Sequence, residues 1–187
     1  MAKLISKTYG DALFETALEK GNVDELYEEV KTLRDILKEN PDFESLMNNP
    51  RIMREEKEKL AESVFKGKLS DELTGLIILI ISNRRYEFLE DVLDYFVNEV
   101  KEYKKIGVAY VKTPMELSGA QKKAVEEKLL STTAYESMEL NYEIDSSLIG
   151  GMVIRIGDRV VDSSVSAKLN ALKKDLMNIQ LKTAEDS

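Results

Sequence analysis

From Lys3 to about Lys105, apolar residues recur every three or four positions, the period of a helix with one buried face. Leu4, Ile5, Tyr9, Ala12, Leu13, Thr16 and Ala17 predict a first helix from about Lys3 to Lys20, stopped by Gly21. Asn22 and Glu25 have the spacing of a capping box for a second helix, lined by Leu26, Val30, Leu33 and Leu37. Asn40-Pro41 opens a short third helix through Phe43, Leu46 and Met47, and Asn49-Pro50 ends it. A fourth, about Met53 to Phe65, turns Leu60, Ala61, Val64 and Phe65 inward and leaves the charged run Arg54 to Lys59 solvated. A fifth, capped by Ser70 and running to about Asn83, carries Leu76-Ile77-Ile78-Leu79-Ile80-Ile81; it is apolar nearly all round and is expected to be buried on most sides. A sixth, about Tyr86 to Tyr103, places Leu89, Val92, Leu93, Phe96 and Val100 on one stripe. Together these predict an antiparallel six-helix bundle.

Near Lys104 the period changes. Ile106 to Val111 is β-branched and aromatic, a strand signal ended by Pro114. Ser118 with Gln121 is a second capping box, opening a helix to about Leu130. Met138, Leu140, Tyr142 and Ile144 alternate with Glu139, Asn141, Glu143 and Asp145, a period of two that predicts a strand with one buried face. After Gly150-Gly151, two short apolar strands flank Gly157-Asp158 and read as a hairpin. Ser163 or Ser164 caps a last helix carrying Val165, Leu169, Leu172, Leu176 and Ile179. The expected fold is therefore mainly α with a small α+β part: a helical bundle over 1–105, then a domain of short strands and two helices over 106–187.

Composition removes most chemistry. The 187 residues include no Cys and no His, which excludes disulfides, thiolate nucleophiles, imidazole bases and Cys/His zinc sites. A net charge of -8, spread over both halves, disfavours nucleic acid and anionic membranes as general partners. The longest apolar run, Leu76 to Ile81, falls far short of the ~20 residues a spanning helix needs. The first residues show neither a secretory h-region nor an Arg-rich leader, so a reducing compartment is expected.

The remaining motifs read as structure. Gly150-Gly151 lacks the Lys-Ser/Thr of a phosphate loop and precedes a strand, so a positive-φ turn or a close backbone contact is the better reading. Asp145, Asp158 and Asp162 lack calcium-loop spacing and sit at strand ends. Asn83-Arg84-Arg85 reads as a helix C-terminus. No catalytic, metal or cofactor residue is assigned. Surface is what is left. Tyr9, Ala12, Leu13 and Thr16 on the first helix and Ile77 to Ile81 on the fifth either pack the bundle or form a groove for a partner's amphipathic helix. The last helix has the same two readings, covering the sheet or receiving another helix.

The stretch Leu148-Ile-Gly-Gly-Met-Val-Ile-Arg-Ile-Gly-Asp-Arg-Val-Val-Asp-Ser-Ser-Val-Ser-Ala-Lys-Leu169 resembles the C-terminal signature of the delta subunit family of bacterial F-type ATP synthase, equivalent to the mitochondrial oligomycin-sensitivity-conferring protein. Tyr9 with Ala12 and Phe14 is similar to that family's opening helix, and Asn83-Arg84-Arg85 after Leu76 to Ile81 resembles its segment ending in Asn and Arg. The resemblance implies a non-catalytic stator subunit, one copy per complex, without a cofactor. The resemblance places such a subunit on the cytoplasmic side of the bacterial membrane, where it would be membrane-associated only through the F1Fo complex. The helical domain would bind N-terminal helices of the alpha subunits, and the C-terminal domain the b-subunit stalk. The implied alpha-helix groove comprises Tyr9, Ala12, Leu13, Thr16, Ile78, Leu79 and Asn83. Gly150, Gly151, Gly157 and Asp158 match the signature and are expected to shape the hairpin. The rival readings are a helical RNA-binding or transcription-factor module and an enzyme working with carboxylates.

Overall fold

A computed structural model describes residues 2–173. The chain forms two compact units, with the division between Tyr103 and Lys104, one to two residues before the expected joint. In the first unit, α1 (Ala2–Lys20), α2 (Val23–Glu39), α3 (Pro41–Asn48), α4 (Arg54–Phe65), α5 (Asp71–Ser82) and α6 (Leu89–Tyr103) follow in order, with a 3-10 turn at Tyr86–Phe88 leading into α6.

The centre of this unit is α6, whose Leu89, Val92, Leu93, Phe96, Val97 and Val100 are all buried. It meets Tyr9, Leu13 and Ala17 of α1 and Leu26, Val30 and Leu33 of α2 in one apolar core. On α5, Leu73, Leu76, Ile77, Ile80 and Ile81 join that core, but Leu79 stays 51% exposed. α5 is therefore enclosed on most sides, as expected, with an open stripe that carries Gly75 and Leu79.

Two helix starts also differ from expectation. Asn22 makes no side-chain cap on α2. Its amide instead donates to the Ala17 carbonyl (3.1 Å) and that of Gly21 to Leu18 (3.2 Å), so both residues close α1 with a Schellman pattern. At Ser70 the side chain does not cap α5; its amide donates to Glu29 Oε2 at 3.1 Å. The end of α5 is a second Schellman pattern: Arg84 donates to Ile81 and Arg85 to Ile80, and Arg84 takes φ 56 without being glycine.

The second unit contains β1 (Ile106–Thr113), α7 (Gly119–Thr132), β2 (Ser137–Ile144), β3 (Val153–Ile156), β4 (Arg159–Asp162) and a helix α8 over 165–173. The sheet order is β2-β1-β3-β4. β1 and β2 are parallel, joined through α7, whereas β3 is antiparallel to both β1 and β4. α7 opens with the expected box: the Ser118 amide donates to Gln121 Oε1 at 2.9 Å, and the Gln121 amide to Ser118 Oγ at 3.3 Å. Val125 and Leu129 of α7 close over Ala109 and Val111. Alternation in β2 half-buries Met138, Leu140 and Tyr142, while Ile144 at its end is exposed.

Candidate docking site

α1 and α5 run antiparallel and are tied at both ends. At one end Lys20 forms an ion pair with Glu72. That hydrogen bond holds the Glu72 carboxyl below, and the Lys20 ammonium above, its ordinary range. At the other end the Tyr9 hydroxyl accepts from Asn83 Nδ2 (3.1 Å) and Arg85 Nη1 (3.3 Å), and the Arg85 guanidinium lies 5.9 Å from the centre of the Tyr9 ring. The Schellman turn at Arg84 is what brings Arg85 back to Tyr9. Between these ties Ala12 and Leu79 are both exposed. The helices are thus fixed to each other by Lys20 with Glu72 at one end and by Tyr9 with Asn83 and Arg85 at the other, and Ala12 and Leu79 take no part in either tie of this α1–α5 trench.

The seven groove residues separate by burial. Ala12, Leu79 and Asn83 are exposed, and Thr16 and Ile78 are half-buried. Tyr9 is at the edge of burial and presents its hydroxyl to the trench end. Leu13, at 4% exposure, is a core residue that holds α1 in place instead of lining a free surface. Sequence reasoning missed Arg85, Lys20 and Glu72. These contacts join residues more than 50 positions apart, and no local pattern signals them.

In the second unit, Gly157-Asp158 is the two-residue turn between β3 and β4, and Gly157 takes φ 54, as a type II′ turn requires. Gly150 and Gly151 do something other than shape the hairpin. A Cβ on Gly151, at φ 78, would lie 2.5 Å from the Ser163 carbonyl oxygen, and one on Gly150 3.0 Å from Val165 Cγ2. The Val165 amide donates to the Gly150 carbonyl at 2.9 Å. The pair is a backbone cradle for the segment that enters α8. Ser164 then caps α8 by accepting from Ala167 at 3.1 Å. The Asp162 carboxylate accepts from the Ser164 amide at 2.9 Å, and its bonds to Ser164 hold it below the usual range.

Among the described residues no group of acidic side chains is placed to hold a metal ion. A solvent-open depression of about 850 Å³ between α3, α4 and the end of α5 mixes Arg54, Lys57 and Arg84 with Glu55 and Glu87, around Met53 and Ile81. That arrangement is not the closed, carboxylate-lined pocket that an acid–base enzyme needs.

The family model for the ATP synthase delta (OSCP) subunit matches residues 5–176. The chain belongs to this family. Over 181 residues it is 48% identical to ATP synthase subunit delta of Lachnoclostridium phytofermentans, covering 97% of this chain and all of that one. It is 31% identical to the subunit delta of Trichormus variabilis over 93% of this chain and 94% of the relative. A chain in the cryo-EM structure of the Toxoplasma gondii mitochondrial ATP synthase hexamer shares the fold, with a TM-score of 0.72 at 22% identity over 92% of this chain and 97% of that one. As a delta-family protein it is a stator component of F-type ATP synthase, part of the peripheral stalk and not the catalytic subunit. The nucleic-acid and enzyme readings are set aside. No helix among the described residues is long and apolar enough to cross a membrane, and membrane association is a property of the F1Fo complex.

Proposed function

We propose that the α1–α5 trench receives an N-terminal helix of the alpha subunits, and that the second unit binds the b-subunit stalk, with one copy of the chain clamping F1 to that stalk on the cytoplasmic face of the membrane. The clamp resists the torque that the rotor exerts on the catalytic hexamer, so that ion flow is spent on ATP synthesis and not on turning F1. The observation that carries the first contact is Leu79, a large apolar side chain left half in water beside exposed Ala12, on two helices locked together at both ends. Preorganisation matters for such a joint, because a trench that needs no rearrangement loses less binding free energy to ordering and releases its occupant slowly.

The test is calorimetric titration of the full chain with a synthetic alpha-subunit N-terminal helix. About half of Leu79 remains to be buried on docking. Leu79→Ala is therefore expected to cost about 1–2 kcal/mol, a loss of about five- to thirtyfold in affinity. Ala12→Glu adds a charge that the occupant would have to desolvate, and is expected to cost more. Unchanged affinity in a normally folded Leu79→Ala variant would remove the trench as the alpha contact.

A further inference from the structure

The chain has nine glycines, and the fold accounts for all but one of them. Four take positive φ, and at three others a β-carbon would crowd a neighbouring side chain. Gly119 is the first residue of α7, where the penalty for glycine inside a helix does not apply. Gly75 is different. It lies within α5, where glycine is the poorest helix former after proline, and nothing stands within 4 Å of a β-carbon built on it. Neither its backbone conformation nor its neighbours require glycine. Gly75 is exposed and stands one turn before Leu79 on the open stripe of α5. Lys20 and Tyr9 are eleven positions apart, as are their partners Glu72 and Asn83, so counting between the two ties sets Gly75 level with the Thr16–Ala17 step of α1. The Thr16 hydroxyl donates to the Ala12 carbonyl at 2.7 Å, so it is satisfied within α1 and asks for no polar partner in the trench.

We infer that Gly75 is a socket for one large apolar side chain of the helix that docks in the trench, and that it selects its occupant by size. The inference rests on the trench reading proposed above and adds what the occupant must present. Along α5 the surface drops at Gly75, which has no side chain, and rises one turn later at Leu79, half of which stands in water. A helix lying nearly parallel to α5 brings its own rows of residues four apart against this pair. Such a helix fits with a leucine, isoleucine, methionine or phenylalanine over Gly75 and a small residue, four positions away, over Leu79. The reverse order would press a large side chain against Leu79 and leave the socket empty, which crowds one level and loses contact at the other. In the free chain the glycine weakens α5 and returns nothing, so its use lies in the docked state.

The experiment titrates the full chain and its variants with the synthetic alpha-subunit N-terminal helix, alongside urea unfolding of each free variant. Gly75→Ala and Gly75→Leu both put a better helix former at an exposed position, so each is expected to raise the urea midpoint. Gly75→Ala is expected to weaken peptide binding by about fivefold, and Gly75→Leu by about a hundredfold. A size exchange then identifies the seated residue. Among peptides in which each large apolar residue is cut to alanine in turn, one is expected to bind the parent chain more weakly than the uncut peptide does, and to bind the Gly75→Leu variant about tenfold more tightly. A lowered urea midpoint in both variants overturns the premise that the fold has no use for this glycine. Parent-like binding by Gly75→Leu, or failure of every truncated peptide to regain affinity for it, overturns the socket and leaves the trench contact standing. No binding by the parent chain itself overturns both the inference and the trench reading on which it rests.

Discussion

Replacing Gly151 by alanine tests whether the Gly-Gly pair is a cradle for α8. Two costs follow from the geometry. At φ 78 a β-carbon crowds its own backbone, a penalty of about 1–2 kcal/mol. The new methyl would also stand 2.5 Å from the Ser163 carbonyl oxygen and 2.9 Å from Ser164 Cα, which are backbone atoms that cannot rotate away. The 163–165 segment must therefore retreat, and it is held by the Val165 to Gly150 bond at 2.9 Å and the Ser163 to Met152 bond at 3.0 Å. Losing or lengthening both adds about 1–3 kcal/mol. The sum is about 2–5 kcal/mol, a large part of what a small domain has. Gly157→Ala is the internal control, since φ 54 brings the same strain but nothing lies within 4 Å of its added carbon. Its cost should stop at about 1–2 kcal/mol. Urea unfolding followed by circular dichroism gives the free energies, and hydrogen exchange read by mass spectrometry localises the loss. Peptides from β3, β4 and 163–173 should exchange faster while those of α1 and α6 do not change. The reasoning is refuted if Gly151→Ala lies within about 0.5 kcal/mol of the parent, or if it is no worse than Gly157→Ala.

Two further outcomes follow from the first unit. Arg84 occupies the left-handed position of the Schellman turn without being glycine, so Arg84→Gly is expected to raise the unfolding free energy by about 1 kcal/mol in urea titrations. Burial first, and the Glu44 charge second, push the Tyr86 phenol above its ordinary pKa. The folded state therefore favours the neutral form: this contribution is whole below about pH 10, where the unfolded phenol ionises, and is lost as pH rises toward the folded value. Between about pH 8 and about pH 10.5 the parent should lose about 0.8 kcal/mol more than Tyr86→Phe, measured by paired urea curves at the two pH values.

Much of this architecture is written locally. The single stripes of α2 and α6, the alternation in β2 and the box at Ser118 each report a short-range rule, and those elements form where the rule puts them. What local pattern cannot report is how many neighbours an apolar surface finds. Leu79 sits in an unbroken apolar run that reads the same whether its outer face meets the core, a partner or water. Only the packing of α1, α4 and α6 around the bundle leaves that face open. Asn22 illustrates a competition between neighbours: the sequence for a cap on α2 is present, but the amide closes α1 and the side chain makes no cap. Gly150 and Gly151 announce a close approach without naming its partner, because the Ser163–Val165 segment returns only after β3 and β4 have paired. The tie between Tyr9 and Arg85 spans 76 positions and depends on the Arg84 turn, so the trench's rigidity is a tertiary property.

The chain has no cysteine, so a single thiol placed by Ala12→Cys reports on one point of the trench. The most direct measurement of the central claim is oxidative cross-linking of this variant, in the assembled complex, to alpha subunits carrying one cysteine in their N-terminal helix. The account predicts one disulfide-linked alpha per chain, abolished when Glu replaces Leu79. Cross-linking that ignores the Leu79 change, or an intact complex in which Ala12→Cys never reaches an alpha N-terminal helix, would contradict it.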